Sequence, residues 1–569
     1  MKVTTDKEGC RILVEILSEY GVKEAVLCPG ARDLPLIVAF SRCEKIKTHS
    51  VVDERVAGFI ALGKAEITGE PVAIVCTSGT AVLNVAPAVA EAYYKHIPLI
   101  VISADRPERW IDQLDSQTIR QKDVFRNFIK GGFTVKADLE DEEERWFVRR
   151  TVSEALISSI FGIKGPVHIN VPIEIPLNTV TQVTTGTEAM KIEVAPVKKT
   201  IERDYLKSLV LKIQNTSRVL IVCGSFSPDS KLSRWLNRLS LQSNVVVLSE
   251  NLSNVHVSYD LGGPDSLLAF MGKEMRAELY PEILITFGGP LVSQFLKNWL
   301  REGKGRFEHY HIEDSYSIED TFKSLTVKFA MKPQEFFGEV VSALRTKNGS
   351  VSSSYKESWL GISNLLREAQ KNFLNDVKWS DLYAINCLLG HIPSRCNMQV
   401  SNGLSVRYLM NLPGGTKFHR VDCNRGVSGI DGSTSTAVGA STEYNHETVL
   451  LSGDMSALYD IAGLLEASKR TENFKMAVFC NGGGNIFKFI SSTSGVEENI
   501  KYLYNQVDVN FKSIASGNGW WVDEWTCSEN SVVKDWLMRR KEPSLLIIKT
   551  DSETNAKLLK DYFALRKMD

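Results

Sequence analysis

Thr448-Val-Leu-Leu-Ser-Gly-Asp454 is the stretch that decides the expected fold. Its apolar run predicts a buried strand that ends at Asp454. A second apolar run, Lys475-Met-Ala-Val-Phe-Cys480, predicts another strand, which ends at Asn481. Between the two strands, Ala457 to Lys469 carries leucines and an isoleucine at helical spacing. The sequence therefore predicts a strand–helix–strand unit, the building block of parallel α/β sheets.

Oxygen-bearing groups follow both predicted strands, at the edge where open α/β sheets bind ligands. Asp454 offers a carboxylate, Asn481 an amide oxygen and Gly483 a backbone carbonyl. Such oxygens suit a hard cation such as Mg²⁺, which keeps diphosphate oxygens among its other ligands. The glycines after Asn481 would also let the backbone approach those phosphates closely. Two ordinary strand-end turns would produce the same pattern, so residues elsewhere have to separate the two interpretations.

A Gly-Asp pair followed at this distance by an Asn-led, glycine-rich turn resembles the thiamine-diphosphate (ThDP) motif of the pyruvate decarboxylase superfamily. Enzymes of that superfamily carry, near the N-terminus, a glutamate that binds the aminopyrimidine ring. Glu54 is the matching residue, in Val51-Val-Asp-Glu-Arg55 between a predicted strand and a predicted helix from Val56 to Ile67. Acidic residues at helix starts are usually caps or dipole partners, and Glu54 is singled out because the metal motif is also present.

Seven motifs in one order along the chain narrow the resemblance to a single family. They are Pro29-Gly-Ala-Arg32, Asp53-Glu-Arg55, Thr77-Ser-Gly-Thr-Ala81, Ser103-Ala-Asp-Arg-Pro107, Gln117-Thr-Ile-Arg-Gln121, Asn424-Arg-Gly-Val-Ser-Gly-Ile-Asp-Gly432 and Gly453-Asp-Met-Ser-Ala-Leu-Tyr-Asp460. Together they resemble the 2-succinyl-5-enolpyruvyl-6-hydroxy-3-cyclohexene-1-carboxylate (SEPHCHC) synthase family, the ThDP enzymes of menaquinone biosynthesis commonly called MenD. The likeness covers nearly the whole chain and is weakest in its middle third.

This resemblance implies an α/β fold with three doubly wound parallel-sheet domains, in the pyruvate decarboxylase-like architecture of ThDP enzymes. Apolar strands that alternate with helices are typical of parallel sheets covered on both faces. A chain of 569 residues is also too long for one core. The predicted domains are a pyrimidine-binding domain over residues 1–185, a central structural domain over 195–346, and a diphosphate- and metal-binding domain over 356–569.

The resemblance also implies the roles of individual residues. Glu54 is the expected catalytic residue, because a carboxylate on the pyrimidine ring promotes loss of the proton from C2 of the thiazolium. Arginines are expected because the family's substrates carry several carboxylates. The expected cofactor-binding residues are Glu54, Ile430, Gly453, Asp454, Met455, Ser456, Asn481, Gly483 and Ile486. The expected metal ligands, for Mg²⁺ or alternatively Mn²⁺, are Asp454, Asn481 and Gly483. The expected substrate contacts are Arg32, Arg106, Gln117, Arg407, Arg425 and Phe487.

Members of this family decarboxylate 2-oxoglutarate and add the resulting enamine to isochorismate. The resemblance therefore implies a ThDP- and Mg²⁺-dependent carboligase, a transferase that works as a homodimer or homotetramer. One alternative is a related ThDP-dependent 2-oxo acid decarboxylase or synthase with a different acceptor. Another alternative is a non-catalytic binding subunit with the same fold. The presence of Glu54 disfavours the binding subunit, since a protein that only binds would not need it.

Four positions depart from the family pattern and leave the acceptor open. Ala31 and Gly403 stand where the family has hydroxyl residues, and Gln294 stands where some members have a lysine. Asp33 replaces a small hydroxyl residue and is expected to add negative charge close to a site for anions. Because these positions are expected to face the substrates, the sequence leaves isochorismate and another acceptor as alternatives.

Composition excludes several other classes of protein. The formal net charge of −1 and the sequence pI of about 6.8 give no reason to expect nucleic acid or a membrane surface as a partner. The N-terminus has no apolar signal region, and no apolar run approaches the ~20 residues that cross a bilayer. The ten cysteines are scattered without zinc or disulfide spacing. We therefore expect reduced thiols in a cytoplasmic protein.

Overall fold

The computed structural model describes residues 2–183, 191–344, 351–489, 496–504 and 506–565. The chain divides into two compact units that both draw on distant parts of the sequence. The first unit comprises Met1–Pro196, Gly426–Thr448 and Tyr459–Phe474, and the second comprises Val197–Arg425, Val449–Leu458 and Lys475–Asp569. Of the predicted domain borders, residues 185 and 346 lie outside the described residues, so the borders stay a prediction.

The N-terminal third forms a six-stranded parallel sheet and a separate antiparallel pair of strands. Its strands are β1 (Lys2–Thr5), β2 (Glu24–Leu27), β3 (Lys47–Ser50), β4 (Val72–Cys76), β5 (Leu99–Asp105), β6 (Gly132–Thr134), β7 (Val167–Pro172) and β8 (Val180–Val183). Its helices are α1 (Glu8–Glu19), α2 (Leu34–Ser41), α3 (Glu54–Thr68), α4 (Ala81–Asn84), α5 (Ala86–Tyr94) and α6 (Glu142–Ile160). The sheet order is β3-β2-β4-β5-β7-β6, and β1 pairs with β8.

The central part of the chain forms a five-stranded parallel sheet. Its strands are β9 (Val219–Cys223), β10 (Val245–Ser249), β11 (Ile283–Phe287), β12 (Glu308–Ile312) and β13 (Leu325–Phe329). Its helices are α7 (Arg203–Asn215), α8 (Ser230–Leu239), α9 (Pro264–Phe270), α10 (Lys273–Glu278), α11 (Gln294–Glu302) and α12 (Pro333–Leu344). The sheet order is β10-β9-β11-β12-β13.

The C-terminal third forms a second six-stranded sheet. Its strands are β14 (Asn397–Val400), β15 (Arg420–Asp422), β16 (Thr448–Gly453), β17 (Phe474–Cys480), β18 (Trp521–Trp525) and β19 (Ser544–Lys549). Its helices are α13 (Tyr355–Asn375), α14 (Asp381–His391), α15 (Leu404–Asn411), α16 (Ser433–Glu443), α17 (Asp454–Tyr459), α18 (Ile461–Ala467), α19 (Ile486–Phe489), α20 (Phe511–Ser516), α21 (Ser531–Met538) and α22 (Ser552–Phe563). The sheet order is β15-β14-β16-β17-β19-β18.

The first and third sheets have the same strand order, which confirms the predicted fold class. In each sheet the first strand in chain order lies in the interior. The second strand pairs with it on one side, and the third and fourth strands follow on the other side. The order reverses between β2 and β4 in the first sheet and between β14 and β16 in the third. Ligands of such sheets bind beside the reversal, at the carboxyl ends of the strands. The fold therefore predicts one binding edge on each of these two sheets.

The predicted helix from Ala457 to Lys469 is wrong as a single element, because it is broken into α17 and α18. The break falls at Asp460, which is fully buried. Its carboxylate accepts hydrogen bonds from the backbone N–H (2.6 Å) and the hydroxyl (2.7 Å) of Ser435. The two predicted strands on either side are confirmed as β16 and β17. Among the described residues, no helix is both long and apolar enough to cross a bilayer.

Helices α3 and α16, both in the first unit, pack with their backbones in direct contact. A Cβ atom added to Gly63 would lie 2.0 Å from the carbonyl oxygen of Thr436, and one added to Gly439 would lie 2.0 Å from that of Ile60. Glycine is required at both positions, since any larger residue would force the helices apart. At the end of this contact the buried ammonium of Lys64 donates to Glu443 (2.5 Å). The contact fixes the helix that begins at Glu54.

Candidate functional site

The predicted metal ligands lie together at the carboxyl ends of neighbouring strands in the second unit. Asp454 follows β16 and is 2% exposed, and Asn481 follows β17. One carboxylate oxygen of Asp454 accepts the backbone N–H groups of Gly482 and Gly483, each at 3.0 Å. The other oxygen accepts the N–H of Met455 (2.8 Å). These bonds bring the carboxylate and the glycine-rich turn into one cluster.

The glycine-rich turn has a backbone that other residues would adopt only with strain. Gly482 has φ +89° and Gly483 has φ +119°, both in the region that favours glycine. The carbonyl oxygen of Gly483 accepts the N–H of Asn485 (2.8 Å). Gly453, which directly precedes Asp454 in the sequence, has open space where a Cβ would lie. The glycines thus leave room for a ligand to approach the backbone.

The chemistry of this cluster fits a divalent cation. Burial raises the pKa of Asp454 to about 6, and the buried carboxylate of Asp381 raises it further, although three backbone N–H groups oppose the rise. Burial likewise raises the pKa of Asp381 to about 6. The Asp454 carboxyl, the amide oxygen of Asn481 and the carbonyl of Gly483 form a donor set, and a hard cation would stabilise the carboxyl in its ionised form. The residues present therefore fit the metal that the sequence predicts.

Asp381, at the start of α14, is a residue that the sequence analysis missed. One of its oxygens accepts the side-chain N–H of Asn481 (2.6 Å), and the other accepts the hydroxyl of Thr550 (2.6 Å). Because the amide nitrogen of Asn481 is held by Asp381, the amide oxygen is left to face a metal. Groups that orient a metal ligand in this way contribute strongly to affinity.

We expect Asp381→Leu to weaken Mn²⁺ binding by about 10–100-fold, since the amide of Asn481 would lose the group that orients it. Asp381→Asn keeps a hydrogen-bond acceptor while it removes the charge, so we expect a smaller loss. Titration of Mn²⁺ by electron paramagnetic resonance measures both affinities without any turnover. An unchanged Mn²⁺ affinity in Asp381→Leu would show that Asp381 has no part in orienting Asn481.

The other predicted residues near this turn lie beside the metal cluster in sequence and structure. Met455 and Ser456 continue helix α17 directly after Asp454, with Ser456 buried and Met455 partly exposed. Ile486 and Phe487 begin the short helix α19 and are both half-buried. The backbone N–H of Gly453 donates to the hydroxyl of Ser401 after β14 (3.3 Å).

Glu54, the predicted catalytic residue, is the first residue of α3 in the first unit. Capping of this helix is performed by Asp53, whose carboxylate accepts the N–H groups of Arg55 (3.0 Å) and Val56 (3.3 Å). The half-buried carboxylate of Glu54 accepts the side-chain N–H of Asn84 (3.3 Å). Asp53 rather than Glu54 therefore caps the helix, and Glu54 is the acidic residue of its first turn.

Ile430 also belongs to the first unit, and a buried glutamate fixes the segment that carries it. Glu91 on α5 is 1% exposed, and its carboxylate accepts the backbone N–H groups of Gly426 and Val427, each at 2.8 Å. A Cβ added to Gly426 would lie 2.8 Å from the carbonyl oxygen of Glu91. Ile430 itself is half-buried. Glu91 is a second positioning residue that the sequence analysis missed.

Three predicted substrate residues lie at or after strand ends of the first sheet. Arg32 follows β2, is 8% exposed and donates to the carbonyl of Ile173 (2.9 Å). Burial lowers the pKa of Arg32 and the charge of Arg106 lowers it further, so the two guanidinium groups act on one region. Arg106 forms an ion pair with Asp115. Gln117 is exposed and donates to the carbonyl of Ser78 (3.2 Å).

A second cationic region lies in the second unit. Arg407 donates to the carbonyl of Gly403 (2.5 Å), and Arg425 donates to the side-chain oxygen of Asn402 (3.1 Å). Burial lowers the pKa of Arg407, and the charge of Arg425 lowers it further. Gly403 has φ +102°, so a hydroxyl residue at this position would be strained. The backbone therefore accounts for glycine where the family has a hydroxyl residue.

Lys297 adds a cation that the sequence analysis did not identify. It lies on α11, one turn after Gln294, and donates to the carbonyl of Leu291 (3.3 Å). Burial lowers the pKa of Lys297, and the charges of Arg425 and Arg407 lower it further. Gln294 instead donates to Asn298 on the exposed side of the same helix (2.8 Å). Lys297 thus adds a positive charge one helical turn after position 294.

Comparison with known proteins identifies the family. Residues 7–124 match the family described as "Thiamine pyrophosphate enzyme, N-terminal TPP binding domain". A protein from Porphyromonas gingivalis is 34% identical over 565 residues, which cover 98% of this chain and 97% of the relative. A Flavobacterium johnsoniae protein is 38% identical over 84% of both chains, and a Flavobacterium psychrophilum protein is 35% identical over 97% of both. All three are named 2-succinyl-5-enolpyruvyl-6-hydroxy-3-cyclohexene-1-carboxylate synthase. This chain therefore belongs to the SEPHCHC synthase family of thiamine-pyrophosphate enzymes.

Proposed function

We propose that this protein decarboxylates 2-oxoglutarate and joins the remaining fragment to isochorismate, the SEPHCHC synthase step of menaquinone biosynthesis. The observation that carries the proposal is the cluster of Asp454, Asn481 and Gly483, together with similarity over nearly the whole chain to relatives that bear this name. The candidate metal ligands and the cationic residues both support this proposal.

The cofactor and its metal have a residue set that matches their chemistry. Asp454, the amide oxygen of Asn481 and the carbonyl of Gly483 would hold Mg²⁺ or Mn²⁺, and through it the diphosphate of ThDP. Gly453, Met455 and Ser456 would lie beside that diphosphate. ThDP, when bound, supplies the carbon nucleophile. The protein's part in that chemistry is to position the cofactor and to control its protons.

As the family resemblance implies, other residues would act on the reactive end of the cofactor. Glu54 would accept a hydrogen bond from the pyrimidine ring and so favour removal of the proton from C2. Ile430 would hold the cofactor in a bent shape. Ile486 and Phe487 would exclude water, which protects the reacting carbon from a stray proton.

The cations would bind the substrate carboxylates. Arg407, Arg425 and Lys297 form one positively charged region in the second unit. Arg32, Arg106 and Gln117 form the corresponding polar group in the first unit, as the family resemblance implies. Guanidinium groups bind carboxylates with two parallel hydrogen bonds, so they select a dicarboxylic donor over pyruvate.

We expect the protein to consume 2-oxoglutarate and isochorismate and to form their decarboxylated adduct, which mass spectrometry detects. Arg407→Ala should reduce kcat/KM for 2-oxoglutarate far more than for pyruvate, because only 2-oxoglutarate has a distal carboxylate. Loss of one buried charged partner typically costs on the order of 2–5 kcal/mol. Arg234→Ala, which removes an exposed arginine of α8, is the matched control. Release of CO₂ without an adduct would contradict isochorismate as the acceptor. Ala31 and Gly403 would then mark a changed acceptor pocket.

We further infer that the working protein is a homodimer or homotetramer in the cytoplasm. By resemblance to the superfamily, Glu54 of one subunit would meet the diphosphate site of another, and such assemblies are closed and symmetric. None of the ten cysteines, all of which lie among the described residues, forms a disulfide, which suits a reducing compartment.

A further inference from the structure

Asp33 is a buried carboxyl with no evident structural partner. It follows Arg32 in the loop between β2 and α2, and its side chain is 0% exposed. Neither carboxyl oxygen has a hydrogen-bond partner among the residues that the structure describes. The residue occupies the N-cap position of α2, yet its side chain accepts no capping bond. A buried polar group in this state costs free energy, so it calls for an explanation beyond folding.

The groups around Asp33 at this edge of the sheet include one acid and two thiols. Glu54 begins α3 after β3, Cys28 follows β2, and Cys76 ends β4, while β2 pairs with both β3 and β4. Each of the three interacts electrostatically with Asp33. None of these three neighbours can carry a positive charge. Burial raises the pKa of Asp33 to about 7, its own backbone N–H opposes the rise, and the charge of Glu54 adds to it. The sequence predicts an added negative charge at this position, and burial disfavours that charge.

We propose that Asp33 is a positioning residue that stores a proton beside Glu54 and thereby sets the electrostatic field that acts on Glu54 and on the pyrimidine ring. The proposal rests on the role of Glu54 given under the proposed function. While Asp33 is protonated, it adds no charge beside Glu54. When Asp33 releases its proton to solvent, a carboxylate forms there, and its negative charge acts on Glu54 and on the ring.

The proton on Asp33 can be observed directly in the cofactor-free, full-length protein. Carbon-13 NMR of labelled aspartate carboxyls should show a resonance that titrates near pH 7 and is missing from Asp33→Asn. Glu54→Gln should move its midpoint to lower pH, because the repelling charge is removed. A midpoint below about 5, within the usual range of aspartate, would overturn the proposal. A midpoint that does not move in Glu54→Gln would overturn it as well. Asp33→Ser serves for assignment should Asp33→Asn fail to fold.

The consequence for the cofactor is tested by C2–H exchange of bound ThDP as a function of pH, alongside calorimetric ThDP affinity. Wild-type exchange should show an inflection near pH 7 that is absent from both Asp33→Asn and Asp33→Ser, with affinity little changed. The same pH profile in wild type and variants would overturn the role of Asp33. Absence of exchange in the wild type at every pH would instead contradict the proposed function, so the two failures are distinguishable.

Stability gives an independent check of the same proton. An aspartate whose pKa is raised by folding stabilises the protein when protonated, and this contribution is lost as pH rises from about 4 to about 7. Asp33→Asn cannot lose a proton at this position. Its melting temperature should therefore rise relative to that of the wild type between pH 5 and pH 8. A difference in melting temperature that stays constant with pH would contradict a stored proton.

Discussion

Asp454→Ala is expected to abolish metal-dependent binding of ThDP while the protein stays folded. The variant removes the charged ligand of a hard-cation site, and with it the link between the protein and the diphosphate. It also removes the carboxylate that accepts the N–H groups of Gly482 and Gly483, so the glycine-rich turn loses its attachment to α17. Isothermal titration with ThDP and Mg²⁺ measures the loss, and thermal melting reports on the fold.

The matched control for this variant is Asp204→Ala, which removes an aspartate of α7 whose side chain is 82% exposed. It should bind ThDP and Mg²⁺ with wild-type affinity. Unchanged ThDP affinity in Asp454→Ala would mean that the metal is held elsewhere, and the proposed site would be wrong.

Glu54→Gln is expected to bind ThDP normally and to lose most of its C2–H exchange. The diphosphate anchor is untouched, so affinity should be kept. An amide cannot take up a proton from the ring as a carboxylate does, and loss of a positioned acid or base typically costs about 10²–10⁴-fold in rate. Exchange followed by proton NMR in deuterated buffer measures this loss. Glu70→Gln, an exposed glutamate just beyond α3, is the control.

Exchange at the wild-type rate in Glu54→Gln would place the activating group elsewhere.

The two inactive variants, Glu54→Gln and Asp454→Ala, also serve as a test of the proposed assembly. If each site combines Glu54 of one subunit with Asp454 of another, mixing Glu54→Gln and Asp454→Ala chains should restore part of the activity. No recovery after demonstrated subunit exchange would count against shared sites.

The parts of the site that could be predicted from the sequence are those carried by local patterns. Asp454 and Asn481 each follow an apolar run, and parallel strands bring such ends to one edge. Glu54 needed the family resemblance, because an acidic residue at a helix start usually serves as a cap. In the structure Asp53 makes the capping bonds, and the role of Glu54 stays a prediction.

The residues that could not be predicted act across long sequence separations. Asp381 reaches Asn481 from the start of another helix, and Glu91 on α5 holds the backbone of residues 426 and 427. No spacing rule connects positions so far apart, and a buried carboxylate on a helix resembles an ordinary surface residue in sequence. Lys297 could not be predicted because the family pattern places a lysine at position 294, one helical turn earlier. Such contacts become visible only when the chain is folded.

The contact between α3 and α16 has a consequence for the order in which the protein can be made. Helix α16 lies more than half a chain beyond α3, yet the two pack backbone to backbone within one unit. A ribosome adds about 5–20 residues per second, so α3 waits many seconds before its partner emerges. During that interval the face of α3 around Gly63 lacks the helix that covers it in the folded protein. We expect this face to need protection from aggregation in the nascent chain until α16 is made.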